Sequence, residues 1–151
     1  MVEQELTLAE QVVAAMLRED RATAALGMQV QSVSAGSCCV TMVVREDMLN
    51  GFATCHGGLI FSLADSALGF ASNSHNLVNV AAGCQIDYLR PARLGDVLRA
   101  TAVERVAGSR LSLYDVTITN QHDETVALFR GRSCRIRGTV VEQPSDLKET
   151  V

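Results

Sequence analysis

The chain has 151 residues, a formal charge of −4 and a pI near 5.3. This length suits one globular domain with its own core, and 48% hydrophobic against 20% charged residues argues against disorder. The acidic balance argues against a nucleic-acid-binding protein, no apolar run is long enough to span a membrane, and the N-terminus lacks a secretory-signal pattern. Five cysteines without a pairing pattern predict free thiols and a cytoplasmic location, and the lack of clustered Cys and His argues against a metal site.

The predicted elements, in chain order, are a helix, two strands, a second helix and four strands. A capping box at Thr7 and Glu10 begins the first helix, predicted over 7–25, and Gly27 ends it. The second helix is predicted over 57–73. The strands are predicted over 28–35, 37–45, 78–90, 96–107, 109–120 and 125–137. Short turns between consecutive strands favour an antiparallel sheet, which gives one domain over 1–138 and a C-terminal tail over 139–151.

The second helix is unusual because it is apolar on nearly every side. Such a helix is typical of a buried, central position, and we expect the sheet to wrap around it in an α+β architecture. Asp65 lies in its middle and is the only fully charged residue between Met48 and Ile86. Burying an ionised carboxylate without a partner is costly, and no Lys or Arg lies within 19 residues of it. Asp65 is therefore a candidate catalytic residue; the alternative is a carboxylate that caps a neighbouring element or faces solvent.

The same helix begins within a Cys-His-Gly-Gly segment, residues 55–58. Glycines allow close backbone approach, and N–H groups in the first turn of a helix have no intrahelical acceptor. The Gly57 N–H could therefore stabilise a developing oxyanion, although the pattern also suits a flexible loop that caps the helix. His56 could act as a general base, a hydrogen-bond donor or a loop anchor, and we favour an orienting role. Asn50 stands in an Asn-Gly pair typical of turns, and its amide could instead orient a water molecule or the Asp65 carboxylate.

The spacing of these two features limits how they can cooperate. Gly57 and Asp65 are eight residues apart, which is about 12 Å along a helix. The attacking group and the oxyanion donor must both lie within roughly 3 Å of one reacting carbonyl, so one helix cannot supply both. Two antiparallel copies could, with Gly57 of one subunit close to Asp65 of the other. If the two residues act together, the protein is at least a dimer with two equivalent sites.

Together these residues form a family pattern. The run Asn-Gly-x4-His-Gly-Gly-x6-Asp over residues 50–65 resembles the signature of hotdog-fold acyl-coenzyme A thioesterases, and more specifically the phenylacetate-degradation (PaaI-type) thioesterases of bacteria. The segments FSLADSALGFASNS, QIDYLRPA, LYDVTITNQ and VALFRGRSCRI extend the resemblance over about residues 7–138. The motifs of hotdog dehydratases are absent from the sequence. The resemblance implies a hotdog fold, an antiparallel sheet wrapped around a long central helix.

The resemblance also implies roles for the candidate residues, in a coenzyme A thioester hydrolase that needs no metal or cofactor. Asp65 matches the catalytic carboxylate, acting as nucleophile or general base. Gly57 matches the N–H that polarises the thioester carbonyl, with His56 beside it. Asn50 matches a polar residue that faces Asp65 across the subunit interface. The family is usually tetrameric, so we expect a homodimer at the active site and a homotetramer built from two such dimers.

The expected substrate is an aromatic acyl-coenzyme A, of the phenylacetyl or hydroxyphenylacetyl type, in phenylacetate or other aromatic catabolism. Arg suits the phosphates of coenzyme A, and the chain has 12 Arg but only one Lys. Candidate phosphate ligands are Arg90, Arg130 and Arg132, although each could serve in surface ion pairs instead. Gly58 and Phe52 are further candidates for substrate contact, and core packing is the favoured alternative for Phe52. The alternatives are a medium-chain or promiscuous acyl-coenzyme A thioesterase, a hydratase, or a non-catalytic hotdog that binds acyl-coenzyme A as a sensor.

Overall fold

The computed structural model describes residues 5–143, and residues 1–4 and 144–151, which include most of the predicted tail, lie outside the described part. The helices are α1 (Leu8–Glu19), α2 (Arg21–Ala25) and α3 (Gly57–Asn73), with a short 3-10 turn at Glu46–Met48. The strands are β1 (Gln29–Ser34), β2 (Ser37–Val43), β3 (Asn79–Tyr88), β4 (Val97–Val106), β5 (Leu111–Thr119) and β6 (Thr125–Arg135). Every strand lies inside the range predicted for it.

The N-terminal helix begins as predicted but is not continuous. The Thr7 side chain accepts a hydrogen bond from the Glu10 N–H, and the Glu10 carboxylate accepts from the Thr7 N–H at 2.7 Å, which completes the capping box. The prediction of one helix over 7–25 was wrong at Asp20, where the backbone is extended. The Asp20 carboxylate accepts from the Thr23 N–H at 2.9 Å and caps a separate second helix. Gly27, with φ of +64°, follows the end of that helix, as expected.

The six strands form one antiparallel sheet in the order β1-β2-β4-β5-β6-β3. Because β3 follows α3 and pairs with β6, the chain crosses from one side of the sheet to the other through the central helix. β1 and β3 are the two edge strands. This arrangement of six antiparallel strands around one long helix is the α+β architecture predicted from the sequence.

The central helix α3 packs across one face of the sheet and contacts all six strands. Leu63, Ala64, Ala67 and Leu68 are buried in this interface. Gly131 on β6 permits close approach, since a Cβ there would lie 2.5 Å from Leu68 Cδ2. The approach of Leu68 to Gly131 and the electrostatic interaction of Asp65 with Cys84 of β3 place this part of α3 against the β6–β3 side of the sheet.

The chain after β6 contacts the loop that follows α3. Asn76 Oδ1 accepts hydrogen bonds from the N–H groups of Val140 at 3.0 Å and Val141 at 2.9 Å. The division into a domain over 1–138 and a tail over 139–151 stays a prediction. Among residues 5–143, no helix is long and apolar enough to cross a membrane.

Candidate active site

The N-terminus of α3 carries the first group of predicted site residues. His56 is the N-cap, and its Nδ1 accepts a hydrogen bond from the Gly58 N–H at 3.0 Å. Because Nδ1 accepts, the imidazole in this arrangement carries its hydrogen on Nε2, where it can donate. Within residues 5–143, the Gly57 N–H has no hydrogen-bond acceptor. An unpaired N–H at the positive end of a 17-residue helix is suited to stabilise a carbonyl oxygen that gains negative charge.

The loop before the helix is organised by Asn50. Its Oδ1 accepts hydrogen bonds from the Phe52 N–H at 2.9 Å and from the N–H and hydroxyl of Thr54, both at 3.2 Å. Its Nδ2 has no acceptor in the described structure and can donate to another group. The two interpretations of Asn50 from sequence, turn former and polar site residue, therefore use different atoms of one side chain. Phe52 lies at the tip of the turn and is 89% exposed, so this subunit supplies no core packing for it.

Asp65 lies two turns further along α3 and is half-buried. It makes no hydrogen bond or ion pair with any residue in the range 5–143, and burial raises the pKa of its carboxyl above the usual value. The alternative that Asp65 caps a neighbouring element is not supported. Its electrostatic neighbour is Cys84 on β3, whose thiol pKa is raised by burial and then by the Asp65 carboxylate, while Arg132 acts in the opposite direction.

Gly57 and Asp65 do not meet within one subunit. They lie eight residues apart on one regular helix, which separates them by about 12 Å. The candidate oxyanion donor and the candidate catalytic carboxylate of one subunit therefore lie in two separate places, as the sequence spacing predicts. Within residues 5–143, no group of three or more His, Cys, Asp and Glu side chains could hold a metal ion.

A cavity of about 300 Å³ opens beside the first turn of α3. Gly57, Tyr88 and Arg90 contribute to its lining. Arg90 donates to the Thr125 carbonyl at 3.3 Å and lies 3.7 Å from Glu124, so its guanidinium is partly engaged. The cavity thus joins two predicted site residues, Gly57 and Arg90, with Tyr88, which was not predicted.

Tyr88 is that missed residue, and it touches the predicted oxyanion donor directly. Its hydroxyl donates a hydrogen bond to the Gly57 carbonyl oxygen at 2.8 Å. The sequence offered a weak signal, since Tyr88 is one of two tyrosines and stands inside the family segment QIDYLRPA. The contact itself joins residues 31 positions apart, and periodicity does not predict such a contact.

The two arginines of β6 differ in their surroundings. Arg130 Nε donates to Asp115 Oδ1 at 2.6 Å and its Nη2 donates to Oδ2 at 3.0 Å, while Arg105 Nε contacts the same carboxylate at 3.1 Å. The bonds from Arg130 are the main cause of the lowered pKa of Asp115. Arg132 is exposed and has no acidic partner in the part of the chain that the structure describes. Its guanidinium lies over Gly83 of the edge strand, where a Cβ would come within 2.6 Å of Nη2.

A larger cavity of about 450 Å³ surrounds this ion-pair cluster on the outer face of the sheet. Its lining includes Arg105, Asp115 and Arg130, but none of the predicted catalytic residues. The predicted catalytic residues therefore lie on or next to α3, outside the larger cavity.

Comparison with known proteins identifies the family. The family model described as Thioesterase superfamily matches residues 52–127. Over 126 residues, the chain is 50% identical to the acyl-coenzyme A thioesterase PaaI of Escherichia coli K12. The alignment covers 83% of this chain and 90% of that protein. The chain belongs to the thioesterase superfamily.

Solved structures agree with this thioesterase assignment. The structure of E. coli PaaI, described as a protein from the phenylacetic acid degradation operon, matches with a TM-score of 0.86 and 49% identity over 87% of this chain and 96% of that one. A Streptococcus mutans protein solved with acetyl coenzyme A matches with a TM-score of 0.71 and 31% identity over 74% and 90% of the two chains. The predicted family, hotdog fold and thioesterase class are confirmed. The roles of individual site residues in this thioesterase stay predictions.

Proposed function

We propose that the protein is an acyl-coenzyme A thioesterase that hydrolyses aromatic esters of the phenylacetyl or hydroxyphenylacetyl type to the free acid and coenzyme A. The observation that carries the proposal is Asp65, a half-buried carboxylate with a raised pKa, on a helix that begins with the Gly57 N–H. Neither group has a hydrogen-bond partner among residues 5–143. The operon of the E. coli relative supports an aromatic acyl group and a role in phenylacetate or other aromatic catabolism. A cytoplasmic location is part of the same proposal. A medium-chain or promiscuous acyl preference is the alternative.

The proposed reaction places the thioester carbonyl oxygen on the Gly57 N–H. Asp65 of the neighbouring subunit then either attacks the carbonyl carbon, giving a mixed anhydride that water opens, or removes a proton from an attacking water molecule. Either route breaks the carbon–sulfur bond, releases the coenzyme A thiolate for protonation and leaves a carboxylic acid. Asn50 Nδ2 and His56 Nε2 are two donors near the start of α3 that could orient the water or the substrate.

The edge strand β3 supports a dimer. It pairs with β6 on one side, and its other side has no partner strand within residues 5–143. An exposed edge of ten residues is a surface for pairing with another chain, and Val80 and Tyr88 on it are 47% and 49% exposed. A second copy joined along β3 would extend the sheet and place two α3 helices antiparallel, which brings Gly57 of one copy toward Asp65 of the other. Pairing of two such dimers into a tetramer belongs to the proposal.

Arg132 is the favoured phosphate ligand of the substrate. Its guanidinium is exposed, has no acidic partner among the described residues and lies over the same edge strand, on which Cys84 is the electrostatic neighbour of Asp65. Arg130 was an equal candidate from sequence, but its bonds to Asp115 would have to break before it could bind phosphate. Arg90 stays a candidate because it lines the cavity at Gly57.

Turnover of phenylacetyl-coenzyme A by the wild type and by Asp65→Asn tests the function. Loss of thioester absorbance is the readout, because five free cysteines interfere with thiol reagents. We expect hydrolysis by the wild type, a loss of about 10²- to 10⁴-fold in Asp65→Asn, and none in the matched control Asp123→Asn, an exposed carboxylate in the β5–β6 turn. A wild type that binds phenylacetyl, benzoyl and medium-chain esters without cleaving them would instead be a sensor.

Mixing two inactive variants tests the shared site. In a dimer of Gly57→Pro and Asp65→Asn subunits, one site carries both lesions and the other carries neither. Random exchange of equal amounts makes half of the dimers mixed, so about a quarter of wild-type activity returns if each site uses two subunits. No recovery after verified subunit exchange would contradict a site shared by Gly57 of one subunit and Asp65 of the other.

A further inference from the structure

The peptide group between Gly57 and Gly58 is held by side chains at both of its ends. Its carbonyl oxygen accepts a hydrogen bond from the Tyr88 hydroxyl at 2.8 Å, and its N–H donates to His56 Nδ1 at 3.0 Å. In a regular helix that carbonyl also accepts from the N–H four residues later, so Tyr88 is a second donor to the same oxygen. Hydrogen bonds at opposite ends of one peptide polarise each other, which makes this a connected chain from Tyr88 to the His56 ring.

The Tyr88 ring also packs on Gly57. A Cβ added to Gly57 would lie 3.0 Å from Tyr88 Cζ, 3.2 Å from its hydroxyl oxygen and 3.3 Å from Cε1. These distances are shorter than ordinary carbon contacts of about 3.5–4.0 Å, so the ring occupies the space that any side chain at position 57 would need. The absence of a Cβ thus lets the hydroxyl reach the carbonyl of the same residue.

Resting on the proposed function, we infer that Tyr88 is a positioning residue for thioester hydrolysis. Together with His56 it fixes the first turn of α3, and so it holds the neighbouring Gly57 N–H in the orientation that stabilises the oxyanion. Oxyanion donors are effective because they are preorganised, and the first turn of a helix is otherwise the part most prone to fray. Burial raises the pKa of Tyr88, so its hydroxyl keeps the proton that it donates.

The position of Tyr88 links this role to the edge strand. Tyr88 is the last residue of β3, the strand along which a second subunit is proposed to pair. The hydrogen bond therefore joins the end of the proposed dimer edge to the oxyanion donor of the same chain. A purely structural Tyr88 would anchor β3 to α3 without affecting the reacting carbonyl, and the experiment separates these two roles.

The test uses Tyr88→Phe, which keeps the ring and removes the hydroxyl. Tyr114→Phe is the matched control, because Tyr114 is the only other tyrosine and its buried hydroxyl donates to Glu104 away from α3's first turn. For phenylacetyl-coenzyme A we expect Tyr88→Phe to lower kcat about 5- to 10-fold, the equivalent of one net hydrogen bond, with KM unchanged. Tyr114→Phe lowers the melting temperature and leaves kcat unchanged.

A spectroscopic readout distinguishes positioning from structural support. In a ketone analogue, with a methylene group in place of the thioester sulfur, the infrared C=O stretch reports how strongly the carbonyl is polarised. We expect the band to move to lower frequency in wild type and Tyr114→Phe, and to move less in Tyr88→Phe. Equal kcat and equal band positions in Tyr88→Phe and wild type would overturn the role of Tyr88. A wild type that cleaves no thioester would instead overturn the proposed function.

Discussion

Replacing Gly57 by proline and by alanine gives the sharpest test of the proposed oxyanion donor. Proline removes the Gly57 N–H, and the first position of a helix is where proline fits best, since that N–H has no intrahelical acceptor. The preceding residue, His56, has φ of −59° and ψ of 131°, a conformation that is compatible with a following proline. Alanine at the same position keeps the N–H.

The expected magnitude follows from what the two variants share. Each introduces a Cβ at 3.0 Å from Tyr88 Cζ, so each displaces the tyrosine ring and weakens its bond to the Gly57 carbonyl. We expect Gly57→Ala to lose about 10-fold in kcat for this reason, the equivalent of one net hydrogen bond. Loss of one oxyanion donor costs a further 10²- to 10³-fold, or about 2.7–4 kcal/mol, so Gly57→Pro should be slower than Gly57→Ala by that factor.

The assay is kcat and KM for phenylacetyl-coenzyme A, with thermal unfolding and light scattering to show that both variants fold and assemble like the wild type. The comparison is between the two variants, so the shared steric cost cancels. If Gly57→Pro folds and retains the kcat of Gly57→Ala, the Gly57 N–H does not bind the reacting oxygen. The donor would then have to come from elsewhere around the cavity.

Further predictions concern the phosphate ligand of the substrate, the pH dependence and the packing of α3. Arg132→Gln should raise KM for the coenzyme A ester about 10- to 100-fold but leave turnover of the phosphate-free pantetheine thioester unchanged. Arg130→Gln should alter neither quantity. Equal effects of both variants would contradict Arg132 as the phosphate ligand. Because burial raises the Asp65 pKa, kcat should rise with pH through a pKa above the usual Asp value, and a profile with an ordinary Asp pKa would count against Asp65. The folded state then binds the Asp65 proton more tightly than the unfolded chain does, so the free energy of unfolding falls as pH rises. Asp65→Asn should therefore have a higher melting temperature than the wild type at neutral pH. The two proteins should melt alike below the usual Asp pKa. Gly131→Ala should lower the free energy of unfolding in urea by about 1–3 kcal/mol, because its Cβ would meet a leucine methyl of α3. Gly69→Ala has open space around it and should raise the free energy of unfolding by about 0.5–1 kcal/mol. An unchanged free energy of unfolding in Gly131→Ala would show that the core relaxes there.

Local patterns predicted the elements around the site well, because their causes are local. The helix that carries Asp65 has the predicted bounds, 57–73, since a capping residue, two glycines and an apolar run all act within the segment itself. The capping box at Thr7 and Glu10 is local in the same way. Asp20 shows the limit of this reasoning. The predicted first helix ran through Asp20. The Asp20 carboxylate instead caps the start of a second helix, since Asp favours a helix cap over a helix interior.

Contacts between distant segments could not be predicted from spacing. The Asp115 carboxylate meets Arg130 because β5 and β6 pair in one register. A shift of β6 by a single residue would turn Arg130 to the face opposite Asp115. The Tyr88–Gly57 contact likewise depends on where the end of β3 passes the start of α3. The sequence made Arg130 and Arg132 equal candidates as phosphate ligands. The tertiary structure distinguishes them by the ion pair that Arg130 makes and that Arg132 lacks among the described residues.

Asn50 shows how tertiary information changes an alternative that sequence leaves open. From sequence, Asn50 was either a turn former or a polar site residue. The structure shows its Oδ1 bound by three donors of the turn and its Nδ2 without an acceptor in the described part. Forming the turn therefore presents the amide as a donor only, which suits a water molecule or the Asp65 carboxylate of a second subunit. Asn50→Asp would keep the turn acceptor but exchange that donor for a second negative charge near Asp65, so under the shared-site model it should fold normally and lose activity.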